Sequence, residues 1–110
     1  MPLDKVKIGY KTFDVIPWDE ESNKVSGSRR SLGETHFGPS QIFVDTTGKG
    51  EETANTLLHE ILHGIYHIYN IQQGDEEERV VNTFANGMIQ VFQDNPDLLT
   101  YLKKATKHAK

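Results

Sequence analysis

Thr56-Leu57-Leu58-His59-Glu60-Ile61-Leu62-His63 is the stretch on which the reading of this chain turns. Its polar and apolar residues are interleaved as a helix with one wet and one dry side requires. Positions four apart on a helix lie on one face. His59 and His63 therefore point the same way, close enough for both imidazoles to bind one metal ion. Glu60 sits about 100° round from His59 and flanks that ion. Two nitrogen ligands, with a carboxylate beside them to take a proton from a metal-bound water, need these residue types at this spacing.

The helical pattern extends on both sides of the motif. Over residues 52–71, Leu57, Leu58, Ile61, Leu62, Ile65 and Ile68 form one broad apolar arc. His59 and His63 fall at its opposite border, facing a neighbouring element rather than the deepest core. Glu51 and Glu52 suit the positive end of this helix's dipole. Gly74 reads as the terminator and Asp75 as the N-cap of a second helix over 76–94. That helix carries Val81, Phe84, Ala85, Met88, Val91 and Phe92 as its stripe. The short loop makes it an antiparallel neighbour of the first. Asn95 and Pro96 then cap and start a third helix, anchored by Leu98, Leu99 and Leu102. The basic residues after it, Lys103, Lys104 and Lys107, complement its negative end.

Upstream of the motif the period changes. Residues 5–16 alternate apolar and polar, with Val6, Ile8 and Tyr10 on one face, then Phe13 and Val15 after a change of phase. This predicts a bent strand or a tight hairpin with Gly9 at the irregularity, ended by Pro17-Trp18-Asp19. Residues 19–40 read as a long loop, interrupted by a short strand around 32–36. His36 and the pair Arg29-Arg30 are its candidates for touching a substrate. Gln41-Ile42-Phe43-Val44-Asp45 is a clean strand, expected to lie beside the cleft and pair with an extended substrate. Gly48-Lys49-Gly50 lacks the spacing of a phosphate loop.

The whole chain, 110 residues, fits a single domain over 1–110. The expected class is α+β: a small N-terminal antiparallel sheet packed on the motif helix, an antiparallel partner helix and a short C-terminal helix. There are no cysteines, so any metal is held by nitrogen and oxygen. The formal charge of −4 gives no general pull toward nucleic acid. No run is long enough to span a membrane. The N-terminus, Met1-Pro2-Leu3-Asp4-Lys5, is not an apolar signal segment. The expectation is a cytoplasmic protein acting on a peptide or protein substrate.

A catalytic zinc site usually has three protein ligands, so one more is needed. His67 continues the spacing of four, but on a straight helix it lies about 12 Å along the axis from His59, too far to share an ion. Glu76-Glu77-Glu78, just past the turn, is the other source. Glu77 points close to the apolar stripe and Glu78 sits at its edge beside Ala85, so the helical wheel leaves the choice open. A straight first helix would also place its end far from His63. It must stop early, kink near Gly64 or cross the second helix steeply. For the oxyanion, Tyr66, His36, Tyr101 and the arginine pair are candidates. Asn82, Asn86 and Asp45 are candidate supports for the imidazoles.

His-Glu-x-x-His followed on the next helix by Glu78-Arg79-Val80-Val81-Asn82 looks like the gluzincin pattern of Glu-x-x-x-Asn/Asp. More closely, residues 41–99 resemble the short phage and prophage metallopeptidases related to the ImmA/IrrE-like group. The matching pieces are Val44-Asp45, then Thr56-Leu-Leu-His-Glu-Ile-Leu-His-Gly64. After these come Glu78 with Asn82-Thr83-Phe84-Ala85, and finally Asp94-Asn95-Pro96. The resemblance implies a minimal zincin-like domain, with His59, His63 and Glu78 as zinc ligands and Glu60 as the catalytic glutamate. It also implies a phage-encoded enzyme in the host cytoplasm. Larger members carry a DNA-binding or sensory domain for which this chain has no room. The competing class is a non-catalytic metal-binding or protein-interaction module that keeps the fold.

Overall fold

The computed structural model describes residues 3–18 and 32–107. Four strands come first: β1 (Lys5–Ile8), β2 (Lys11–Trp18), β3 (Gly33–His36) and β4 (Gln41–Asp45). Three helices follow: α1 (Gly50–Ile68), α2 (Glu77–Asp94) and α3 (Pro96–Ala105). The class is α+β, as the change of period from two to 3.6 requires.

The sheet is mixed, not antiparallel. Its order is β1-β2-β4-β3. Two antiparallel hairpins, β1–β2 and β3–β4, are joined by a parallel pairing of β2 with β4, in register Val15↔Ile42 and Pro17↔Val44. Treating consecutive strands as neighbours predicts antiparallel pairing throughout. Here β3 lies outside β4, so β2 and β4 meet side by side and run the same way. β4 therefore has a partner on each edge and no free edge for a substrate, contrary to expectation. Among the described strands, β1 and β3 stand at the two edges.

Pro17 does not end β2. The Val15 N–H donates to the Asp4 carbonyl on the β1 side. Two residues on, the Pro17 nitrogen faces that same side, where β1 has ended. No ladder hydrogen bond is lost there, and the strand continues through Trp18.

One face of the sheet supplies the core. Val6, Ile8, Phe13, Val15, Ile42 and Val44 are buried against Leu57, Ile61 and Ile65 of α1, with Val91 of α2 and Leu98 of α3. Lys5, Lys7, Thr12 and Asp14, on the alternate positions, are exposed, the in–out alternation of a half-wet sheet. α1 crosses this face and buries eight residues, Glu60 among them. At its start, the Glu52 carboxylate accepts the Lys49 N–H at 2.8 Å.

α1 stops at Ile68, earlier than the periodicity predicts, and Asn70 rather than Gly74 terminates it. Asn70 adopts a left-handed conformation with φ 58°. Its N–H reaches the His67 carbonyl, and the Ile71 N–H reaches that of Tyr66 at 2.9 Å. That is the Schellman arrangement, which asparagine tolerates better than most residues. Gly64 serves close packing: a Cβ there would stand 2.5 Å from Cδ1 of Ile8. Glu76 is the residue that precedes α2, not Asp75. The Asp75 carboxylate instead accepts the Gln72 N–H at 2.7 Å and Nε of Arg79 at 3.2 Å.

α2 is tied to β1 near its C-terminal end. Gln90 accepts the Gly9 N–H and the Tyr69 hydroxyl at Oε1, and donates to the Lys7 carbonyl and to Asp94. Asn95 brackets the Lys7 peptide, accepting its N–H and donating to its carbonyl. Pro96 takes the first position of α3, as expected.

Candidate functional site

Helix pitch brings His59 and His63 together on the side of α1 that borders β3. Their Nε2 atoms are 3.1 Å apart and the rings meet nearly edge to face. Tetrahedral bonds of about 2.0–2.1 Å to one zinc ion would hold two imidazole nitrogens about 3.3 Å apart. The pair thus fits half of a zinc site with little adjustment. Without a cation, the same separation suits an N–H···N hydrogen bond between a donor ring and an acceptor ring.

Both rings are exposed on a cleft of about 480 Å³, whose other wall is β3 and the residue after it, Gly33 to Phe37. Glu60 also lines this cleft and is only 5% exposed. A carboxylate so enclosed requires a hydrogen-bond donor. Thr35 provides it: its hydroxyl donates to Oε1 of Glu60 at 2.6 Å and lies 3.3 Å from the Glu60 carbonyl. Thr35 is the residue that sequence reasoning missed. The alternation along β3 places it on the face of Gly33, toward the helix, and that was the available signal. Gly33 makes the approach of β3 to α1 possible. A Cβ there would stand 2.8 Å from Cγ2 of Thr56 and 3.1 Å from Cγ of Glu60.

The remaining candidates separate clearly. His36 also lines the cleft, where it bonds Glu34 at 2.9 Å and leans on Phe43. His67 is exposed at the far end, against the Phe37 ring. A second groove meets the histidines from the other side, with Leu62, Tyr66 and Phe84 as its apolar wall. Tyr66 is therefore near the pair. Tyr101 lies in a different cleft with Leu3 and Lys104. Asp45 is engaged by the N–H and hydroxyl of Thr47. Asn82 and Asn86 are exposed on α2. Arg29 and Arg30 lie outside the described residues.

Glu78 stands exposed in the first turn of α2, and so does Glu77. Among the described residues, no three His, Asp or Glu side chains gather closely enough to hold a metal ion. The structure thus brings together His59, His63 and Glu60, and does not bring Glu78 to them. No helix among the described residues is long and apolar enough to cross a membrane. Comparison with protein-family models, with curated proteins and with solved structures finds no match.

Proposed function

We propose that this chain is a zinc-dependent metallopeptidase with a minimal zincin-like domain. In this reading it is of the short phage or prophage kind that resembles the ImmA/IrrE-like group, and it works in the host cytoplasm. The observation that carries the reading is the convergence of two imidazole nitrogens to 3.1 Å on a cleft that an enclosed glutamate also lines. His59 and His63 would hold the ion. Glu78 remains the proposed third ligand, although it is not gathered with the pair here. A zinc ion bound there supplies a Lewis acid that polarises a carbonyl and acidifies water.

The chain's own residues do the rest. Glu60 accepts a proton from the attacking water as the new C–O bond forms, and returns it to the amide nitrogen as the C–N bond breaks. Thr35 keeps one carboxylate oxygen occupied and so fixes the direction of the other. An extended peptide would lie along the cleft wall that β3 forms, the role expected of β4. Leu62, Tyr66 and Phe84 give the groove on the other side an apolar wall.

With no third donor gathered beside the pair among the described residues, a second reading is a metal-binding or interaction module that does not cleave. Elemental analysis of purified protein, with His59→Ala and Glu60→Gln beside it, separates the two. The enzyme reading expects about one zinc per chain, lost in His59→Ala and kept in Glu60→Gln, with hydrolysis of labelled casein lost in both. Metal without hydrolysis in any form supports the module. If the protein neither carries zinc nor takes it up on incubation, both readings fall.

A further inference from the structure

Leu62 belongs to the apolar arc of α1 read from the sequence, yet the core does not take it in: it is 37% exposed. Spacings of three and four put it on one side of the helix with His59 and Tyr66. With His63, His67 and Phe84 of α2, these residues line a groove of about 470 Å³, within the roughly 300–1,000 Å³ of small-molecule sites. Every lining residue but Leu62 carries an aromatic ring. No Asp, Glu, Lys or Arg among the described residues lines it. The cleft walled by β3 is different in kind, since the carboxylates of Glu34 and Glu60 line it. His59, His63 and His67 border both spaces.

We infer that this groove seats one large apolar side chain of the peptide substrate, aromatic by preference, next to the bond that is cut. The inference rests on the reading of the histidine pair as a peptidase site. A peptide whose amide bond lies at His59 and His63 has its neighbouring residues within reach of both spaces, because the same histidines border both. The rings of Tyr66 and Phe84 favour an aromatic guest, since aromatic pairs gain beyond the area they bury. A charged guest would give up water and meet no carboxylate, lysine or arginine of the described residues in exchange. An alanine side chain buries too little apolar area to hold the peptide there.

Blocked peptides acetyl-Ala-Ala-X-Ala-Ala-amide, with X as Phe, Leu, Ala, Lys or Glu, test it when titrated into the zinc-incubated chain and followed by NMR. The Phe and Leu peptides are expected to move the Leu62 methyl and Phe84 ring resonances. They are expected to bind about tenfold or more tightly than the Ala, Lys and Glu peptides, the worth of burying one such side chain. Leu62→Gln, at a position the core does not use, is expected to erase most of that preference, with circular dichroism and zinc uptake unchanged. Equal affinity for all the peptides overturns the inference. So does a preference that survives in Leu62→Gln, or shifts confined to other residues. Hydrolysis shows in the same spectra as new peptide resonances. Its absence, or a chain that takes up no zinc, counts against the peptidase reading, while the order of affinities still decides the groove.

Discussion

α1 and α2 are nearly equal in length, and the structure treats them oppositely. α1 crosses the sheet and has eight buried residues; α2 has two and is fastened mainly near its C-terminal end through Gln90 and Asn95. The half of the candidate site that α1 contributes is set by helix pitch and by β3. The half expected from α2, at Glu78, lies in the first turn of that helix, at the opposite end from the ties through Gln90 and Asn95. The spacing of four within α1 is enough to pair the two histidines, whereas the expected meeting of Glu78 with them needs two helices to converge at one point.

The largest test of this contrast is core truncation. Ile61, fully buried in α1, should lose about 2–5 kcal/mol on Ile61→Ala. Ile89→Ala in α2 should lose less than about 1 kcal/mol. Urea unfolding of both variants measures the difference, and equal losses would remove the distinction between the helices.

Next comes the enclosed glutamate. Thr35→Val keeps the shape of the side chain but removes the hydroxyl that bonds the Glu60 carboxylate. Leaving a buried acceptor unpaired costs about 1–3 kcal/mol. Thr35→Ser, which keeps the donor, should restore most of it in the same unfolding experiment. If valine is tolerated, β3 is not what holds Glu60.

The third test addresses α2's share of the metal. Groups that merely support a ligand are worth roughly 10–100-fold in affinity, so a true ligand should be worth at least that. Glu78→Ala is expected to weaken zinc binding by about tenfold or more, and Glu77→Ala to leave it unchanged. Titration against a zinc-responsive dye reads both. Identical affinity in all three proteins would confine the site to α1.

What the sequence revealed follows the same division. The β1–β2 hairpin at Gly9, the strand Gln41–Asp45, the three helices and Pro96 at a helix start all follow from contacts between residues close along the chain. The approach of His59 to His63 follows from a spacing of four. Strand order did not follow, because no local pattern says that β3 lies outside β4. Nor did the end of α1: glycine is the usual terminator, but the chain turns left-handed at Asn70, four residues before Gly74. Thr35 was invisible as the partner of Glu60 because that bond joins two elements 25 residues apart. Gln90 was invisible for the same reason, with Gly9 and Lys7 more than 80 residues away.

The smallest effect probes the seam between the two helices. The Tyr69 hydroxyl donates to Gln90 at 2.8 Å. Burial, and then the nearby Asp94 carboxylate, raise its pKa above the ordinary 10.0. Burial raises that of Tyr101 in α3 as well. A raised phenol pKa means that the fold favours the protonated form. Above pH 10 the unfolded chain releases these protons while the folded chain still holds them, so stability falls as pH rises toward the folded values. Below pH 10 the contribution is fully present. Tyr69→Phe should cost about 1 kcal/mol near neutrality, the worth of one hydrogen bond, and should flatten part of the alkaline decline. The part belonging to Tyr101 should remain. Unfolding curves between pH 8 and about 11 read both effects. An unchanged slope in Tyr69→Phe would mean that the α1–α2 seam admits water at this bond.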